Sequence, residues 1–187
     1  MEKVSKEQFY FVGNNLALDF INSRPFDVAG EKLPAWSVAA GLVDKELAWR
    51  ADELSELADV RGRLAKMVAK LSSGADISPA EIDFLNKVLK RGIRYVELEH
   101  GPEGYRKRLE IKIERAGDLL VPICESFVDL LCYGNPDHIR KCERPDCILY
   151  FYDTTKNHRR RWCSMAVCGN RAKATKFYRK KKSEIKV

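Results

Sequence analysis

Four cysteines lie close together near the end of the 187-residue chain, in two pairs with the same spacing. Cys142 and Cys147 form the first C-x4-C pair, Cys163 and Cys168 form the second, and fifteen residues separate the pairs. Thiolates are strong ligands for Zn²⁺, and two such pairs supply the four ligands of a tetrahedral site. The spacing therefore predicts a structural metal site, because four protein ligands leave no position for a catalytic water. A cluster of ordinary core thiols is the alternative.

The residues around the cysteine pairs predict the other parts of a small zinc finger. Residues 148–152 are β-leaning and aromatic, residues 153–157 are turn formers, and residues 158–162 can return as a second strand. A basic helix is expected from about Asn170 to Lys182. This order of elements is typical of a treble-clef-like finger, although that fold usually has C-x2-C loops. A module of about forty residues buries too little surface to fold unaided, so Zn²⁺ binding would supply its folding energy.

Charge divides the chain into two parts of opposite sign. The net charge is +7, but residues 138–187 hold fifteen Lys and Arg against four Asp and Glu, a net +11. Residues 1–137 hold nineteen basic and twenty-three acidic residues, a net −4. A basic segment of this kind predicts binding to a polyanion, while a solvated basic tail is the alternative.

The composition is that of a globular chain without a membrane span. Apolar residues make up 45% and charged residues 33% of the sequence. No apolar run approaches the roughly eighteen residues that a spanning helix needs. Residues 1–7 carry acids and lack the apolar region of a secretory signal, so we expect a cytoplasmic protein with reduced thiols. Cys124 and Cys132, which lie outside the two pairs, are expected to be buried and inert.

The body before the cysteines predicts mainly helices. Ser78 and Glu81 form a capping box with Pro79 at the first helical position, the clearest helix start in this region. Segments 93–99 and 105–111 predict a β-hairpin with a loop of about five residues. Apolar periodicity predicts four helices, at residues 35–41, 44–71, 79–91 and 116–133.

Two short segments of the body are ambiguous from the sequence alone. Leu16–Ile21 fits either a strand or the first turn of a buried helix, and Pro122 marks either a kink or a true helix start. The fold class expected is mainly α (α+β). A helical domain with a β-hairpin occupies residues 1–136, and a small treble-clef-like zinc finger ending in a basic helix occupies residues 137–187.

The literal motif Cys168-Gly169-Asn170-Arg171, preceded by Arg160-Arg161-Trp162-Cys163-Ser164-Met165, resembles the CGNR zinc finger family. The body is similar to the ABATE domain, a likeness carried by Gly13 to Asn22. Such proteins are regarded as bacterial, stress-linked transcription regulators, which implies a nucleoid-associated protein that binds duplex DNA. The body would sense a small-molecule effector or mediate homodimerisation. The resemblance also implies structural Zn²⁺ bound by Cys142, Cys147, Cys163 and Cys168.

The resemblance further implies a nucleic-acid-binding face on the finger. Asn170 and Arg171 have the chemistry to contact base edges; alternatively, Asn170 caps the helix and Arg171 pairs with an acid. Tyr150, Tyr152 and Trp162 form hairpin core or stack on bases. The face comprises Arg159, Arg160, Arg161, Asn170, Arg171, Lys173, Lys176, Arg179, Lys180, Lys181 and Lys182.

Three classes of function remain open, led by a DNA-binding regulator. The second is an RNA-binding or ribosome-associated module, because a basic finger with aromatic residues could bind either DNA or RNA. The third is a protein-interaction adaptor. An enzyme is least supported, because the three histidines are scattered and the sequence has no Gly-rich phosphate loop, H-E-x-x-H or G-x-S-x-G motif. Asp19 and Asn22, beside an apolar run, either cap local structure or face a pocket.

Overall fold

A computed structural model describes residues 9–23, 32–44 and 47–184, so residues 1–7, discussed above for a secretory signal, lie outside it. Within these residues the chain forms six α-helices and two antiparallel two-stranded sheets, which confirms the mainly α fold with a small zinc finger. The elements are α1 (Leu16–Asn22), α2 (Leu33–Ala39), α3 (Ala51–Ser72), α4 (Pro79–Leu89), β1 (Arg94–Gly101), β2 (Gly104–Ile111), α5 (Leu120–Tyr133), β3 (Ile139–Lys141), β4 (Tyr150–Tyr152) and α6 (Asn170–Glu184).

Helices α1 to α5 enclose the main apolar core. Its largest fully buried apolar side chains are Trp36, Phe20 and Phe127. Leu16–Ile21 is helical, because Asn15 caps α1 by accepting hydrogen bonds from the backbone of Ala17 and Leu18. Helix α3 begins at Ala51, later than the predicted start at about residue 44, and its predicted end is confirmed. It contributes a buried stripe at helical spacing, formed by Leu57, Val60, Leu64, Val68 and Leu71.

Local sequence patterns determine where helices α4 and α5 of the body begin. The predicted capping box is present at α4, where Ser78 N donates to Glu81 Oε2 at 2.7 Å and Glu81 N donates back to Ser78 Oγ at 3.4 Å. Pro122 lies in the first turn of α5 and therefore marks a helix start, not a kink. None of the helices in the described ranges is long and apolar enough to cross a membrane.

Strands β1 and β2 form the predicted hairpin, with a tighter turn than expected. The ladder runs from Arg94 opposite Ile111 to Gly101 opposite Gly104, which leaves two residues at the tip instead of about five. Gly104 has φ +101°, a left-handed conformation that glycine adopts without strain, so the strands can pair up to the turn.

The second sheet joins the finger to the body. Strand β4 pairs with β3, so the expectation that residues 158–162 form its partner strand is wrong. Tyr152 N donates to Gly13 O at 2.8 Å. Asn22 hydrogen-bonds both backbone groups of Tyr150, accepting from N at 2.9 Å and donating to O at 2.8 Å. Asn22 is therefore a structural residue that fixes the finger against α1.

Candidate metal centre and basic surface

The four paired cysteines converge on one point. The Sγ atoms of Cys142, Cys147, Cys163 and Cys168 all lie within 4.8 Å of one another, and all four residues are buried. Cys147 and Cys163 are 3.8 Å apart and Cys163 and Cys168 are 3.5 Å apart, sulfur to sulfur. A tetrahedral Zn²⁺ with Zn–S bonds of about 2.3 Å requires sulfur separations of about 3.8 Å. The donor set fits zinc in both chemistry and spacing.

The thiols resist joint ionisation without a cation. Burial raises the pKa of Cys163 far above its ordinary value and raises that of Cys168 to about 11. Burial acts in the same direction on Cys142, but backbone N–H groups of Cys163 and Arg144 and the neighbouring thiols donate to its sulfur, so its pKa is lowered. The lowered pKa favours the thiolate of Cys142, and a divalent cation at the centre would stabilise the thiolates of Cys163 and Cys168 against burial.

A turn and a short π-helix position the two cysteine pairs. In the first pair, Cys147 N donates to Arg144 O at 2.9 Å and closes a tight turn. In the second, Cys168 N donates to Ser164 O at 3.0 Å in a π-helical turn, Met165–Gly169, that continues directly into α6. The basic helix is therefore attached to the metal centre without an intervening loop.

The glycine of the CGNR motif lies where backbone and side chains meet closely. A Cβ atom on Gly169 would overlap Met165 Sδ and would lie 3.1 Å from Trp162 Cδ1. The indole and the thioether therefore pack on bare backbone beside Cys168. The Asn170 side chain does not cap the start of α6, since its Nδ2 donates back to Ala166 O at 3.2 Å where the π-helical turn continues into the helix.

Asp153 organises the loop between the cysteine pairs. It is fully buried and accepts hydrogen bonds from Thr155 N (3.0 Å), Thr155 Oγ1 (2.6 Å) and Arg160 N (2.8 Å). Burial would raise the pKa of Asp153, but these hydrogen bonds and the charge of Arg140 lower it below its ordinary value. Because the carboxylate binds Arg160 N, that backbone cannot join a strand, which explains the absent second strand.

His158 also belongs to this loop. Its φ is +46° and its Nδ1 lies 3.0 Å from Asp153 O. Its ring stacks on that of His138, with centroids 3.6 Å apart and planes within 14°. These contacts give His158 a structural role in the finger.

Arg160 and Arg161 are adjacent in sequence and differ in environment. The Arg160 guanidinium donates to the carbonyls of Trp162 (3.0 Å), Val12 (3.1 Å) and Cys163, and lies 4.2 Å from the Phe151 ring centroid. It therefore links the finger to the segment before α1. Arg161 is exposed, pairs with Glu143 at 2.6 Å and lies over the Trp162 ring.

Most of the other predicted cations are on the surface of the finger. The exposed ones are Arg159, Arg161, Arg171, Lys173, Lys176, Lys181 and Lys182. For Arg179 and Lys180 the structure describes the backbone alone. Two open grooves collect these residues on either side of Trp162. One, of about 690 Å³, includes Arg171, Lys176 and Tyr178, and the other, of about 570 Å³, includes Lys156 and Arg159.

Several residues of this surface were not predicted from the sequence. Arg144, Tyr178 and Met165 line the grooves, and Lys156 is exposed at the loop tip. Lys156 and Arg144 were part of the net charge counted for residues 138–187. Because both lie far from the CGNR motif in sequence, the sequence alone did not indicate that they belong to this surface. Cys132 is exposed, so its predicted burial is wrong, whereas Cys124 is buried and burial raises its pKa to about 12.

Family models match both parts of the chain in the expected order. Residues 138–181 match the CGNR zinc finger, and residues 14–134 match ABATE, described as a putative stress-induced transcription regulator. The chain belongs to the ABATE family. The CGNR match and the four-cysteine centre together show that this ABATE protein carries a structural zinc finger. Neither family is described as an enzyme, and a comparison with curated proteins found no match.

Proposed function

We propose that this ABATE protein is a DNA-binding transcription regulator. It binds duplex DNA through α6 and through the loop between the two cysteine pairs of its finger. One observation carries the proposal. The basic side chains of α6 that the structure describes are exposed, and none of them forms an ion pair with an acidic side chain that the structure also describes. Cations without protein partners favour contacts with phosphate, because each neutralised phosphate releases a condensed counterion.

The geometry of α6 supports this use. Its fifteen residues give a rod of about 22 Å, longer than the roughly 12 Å width of a major groove. Arg171, Thr175, Tyr178 and Lys182 follow each other at spacings of four, three and four, so they share one face. The metal centre holds the start of this rod and would fix its direction on the duplex.

The salt dependence of binding tests the proposal. We expect Lys173→Gln with Lys176→Gln to reduce the log–log salt slope of duplex binding by about two, one unit for each phosphate that the variant no longer neutralises. The matched control is Lys87→Gln, which removes an exposed lysine from α4 in the body and should leave the slope unchanged. Binding that does not respond to salt, or an equal effect of the control, would contradict the proposal.

The nature of the nucleic acid is decided by competition. Trp162 and Tyr178 lie in a groove with Arg171 and Lys176, and aromatic and cationic groups together also suit the stacking of unpaired bases. Duplex DNA should displace a labelled duplex better than duplex RNA or single strands do. The reverse order would favour an RNA-binding module, and no affinity for any nucleic acid at low salt would favour a protein-interaction adaptor.

The body would supply the regulatory input through a small-molecule effector. A groove of about 550 Å³ separates α3 from the finger, with Gly62 and Ala65 on one side, Ile148 on the other, and Lys66 and Lys141 among its lining. An effector here would contact both parts of the chain. A Cβ on Gly62 would have no neighbour within 4 Å, so Gly62→Leu should fill the groove without unfolding α3. Native mass spectrometry of purified wild-type protein should then show a bound small molecule that this variant lacks; an effector retained by Gly62→Leu would exclude the groove.

A further inference from the structure

The β1–β2 hairpin has two faces of opposite character. On one face, acidic and basic residues pair across the strands, with Glu97 opposite Arg108 and Glu99 opposite Arg106. Arg108 also forms ion pairs with Glu99 at 2.9 Å and with Glu110 at 2.7 Å. This face is solvated, and its three acidic and two basic side chains compensate most of one another's charge.

The other face is exposed and mainly apolar, and His100 and Lys107 are the polar residues that share it near the tip. Val96 lies opposite Leu109, and Leu98 and Tyr105 extend the same face toward the tip. Their exposed fractions are 59% for Val96, 64% for Leu109, 71% for Leu98 and 76% for Tyr105. Four large neighbouring side chains at this exposure are unusual on a monomer, where contiguous apolar patches are small. We call these four residues the hairpin face.

We propose that the hairpin face is a homodimer interface, covered by the hairpin face of a second copy of the chain. Within the described residues, β1 and β2 pair only with each other. The hairpin is tied to the body at its base, where Arg94 pairs with Glu125. Its apolar surface therefore projects from the body as a pre-formed, two-stranded platform.

The area of the hairpin face suits a second copy. Covering four side chains of this size and exposure removes on the order of 500 Å² of surface from each copy. The total of roughly 1,000 Å² reaches the lower range of specific interfaces, and the packed body residues around the base would add to it. A two-fold interface requires a patch that is complementary to itself, and a flat apolar sheet face meets this condition.

Charge favours contact between faces over contact between edges. Pairing β1 with β1 about a two-fold axis would bring Glu97 and Glu99 against the same residues of the second copy. Pairing β2 with β2 would do the same with Arg106 and Arg108, and like charges on neighbouring strands destabilise a sheet. Packing the hairpin faces together leaves all four of these charged residues in solvent.

The cations near the hairpin face do not indicate an acidic partner. Arg94 lies on the same side of the sheet as the hairpin face, but its guanidinium forms an ion pair with Glu125. Lys107 lies opposite Leu98 on an edge strand, where its ammonium can reach solvent while its stem covers apolar surface. One lysine on an edge strand also blocks addition of a further strand, as is common in natural sheets.

Sedimentation of the full-length chain across a wide concentration range tests the proposal. We expect a dimer for the wild type, and a rise in the dimer dissociation constant on the order of 100-fold or more for Leu98→Glu with Leu109→Glu, because both residues lie centrally in the interface. Both side chains are exposed in the single chain, so the variant should keep its circular dichroism spectrum and zinc content. Ile82→Glu, at an apolar residue of α4 that is 45% exposed, is the matched control and should leave the dimer intact.

Two results would overturn the dimer. One is a wild-type chain that sediments as a monomer at the highest attainable concentration, and the other is a dimer that the double variant leaves intact. Both results are separate from the proposed function, since a monomer that binds DNA with the expected salt slope would retain it. If both proposals hold, the dimer would present two fingers to one duplex, a consequence that rests on the proposed function.

Discussion

The body and the finger of this chain are stabilised by different physical means. In the body, helices enclose a large apolar core that includes Trp36, Phe20 and Phe127. Among the described residues, the buried core of the finger consists of Leu149, Phe151 and the four paired cysteines, and Trp162 and Val167 pack against it. We therefore expect apolar burial to be sufficient for the larger part and metal coordination to be required by the smaller part. A zinc finger can therefore carry an exposed basic helix without an apolar core of its own size.

The finger has a second source of stability, which is the body itself. Tyr152 N donates to Gly13 O, the Arg160 guanidinium donates to Val12 O, and the Asn22 amide both donates to and accepts from the backbone of Tyr150. These contacts form a continuous seam along one side of β4. Three sources of stability are therefore compared: the apolar core of the body, the metal of the finger, and the seam between them.

The largest effect is expected from the metal. Cys163→Ser should abolish tight zinc binding and unfold the finger, because structural zinc contributes apparent free energies of about 10 kcal/mol or more. The helices of the body should persist, since their core does not include the cysteine cluster. Zinc content, measured in reducing and chelator-free preparations, and amide exchange along β4 and the body helices check this.

Cys132→Ser is the matched control for that substitution. Cys132 is exposed and lies outside the cluster, so the variant should keep its zinc and its exchange pattern. Preparations of the wild type without tightly held zinc would contradict the metal assignment. Loss of the body helices together with the finger would instead show that the two parts fold as one unit.

A smaller effect on stability is expected from the seam. Substitutions at two adjacent arginines distinguish its contribution from that of the basic surface, because Arg160 lies in the seam and Arg161 lies on the surface. Arg160→Lys should lower the free energy of unfolding by about 1–3 kcal/mol, because a lysine cannot satisfy the carbonyls of Trp162, Cys163 and Val12 together. Arg161→Lys should change it by less than about 0.5 kcal/mol, since its ion pair with Glu143 is exposed.

Denaturant titration of both variants, followed by fluorescence and by zinc release, measures the difference. Equal stability of the two variants would show that the seam contributes little and that the metal alone holds the finger. The salt slope of DNA binding should be the same for both variants, because lysine keeps the positive charge of arginine at either position.

The smallest effect is expected from pH. Burial raises the pKa of Asp19 to about 6, although the backbone of Gly13 and Val12 and the charge of Arg160 act against the shift. Because the folded pKa is raised above its ordinary 3.8, the stabilising contribution is complete below about pH 4 and is lost as pH rises through 6.

Asp19→Asn should remove this dependence. Relative to the wild type, the variant should therefore gain about 1.4 kcal/mol of stability between pH 5 and pH 8, the equivalent of about one pKa unit. The amide oxygen of asparagine can still accept the hydrogen bond from Gly13 N, now 2.7 Å from Asp19 Oδ1. Urea unfolding across this pH range is the measurement, with the exposed Asp83→Asn as control. An unchanged pH profile would place the titration elsewhere.

Patterns that are local in sequence were sufficient for much of the fold. The capping box at Ser78 predicted the start of α4, because its donors and acceptors lie within one helical turn. The cysteine spacing predicted the metal site, because thiol chemistry limits what such pairs can do. Leu16–Ile21 remained ambiguous because six residues do not define a period, and the Asn15 cap that decides it depends on the backbone conformation.

The sequence by itself determined the composition of the site: four thiols, a basic helix and a helical body before them. Only the tertiary structure decided which of these residues are structural and which are exposed for binding. Arg160 and Arg161 are neighbouring arginines that the sequence does not distinguish, and Asn22 is a polar residue far from the finger in sequence. Their roles depend on contacts between segments more than a hundred residues apart, such as Asn22 with Tyr150 and Arg160 with Val12. Local propensity carries no information about such contacts, because they form only when the chain is folded.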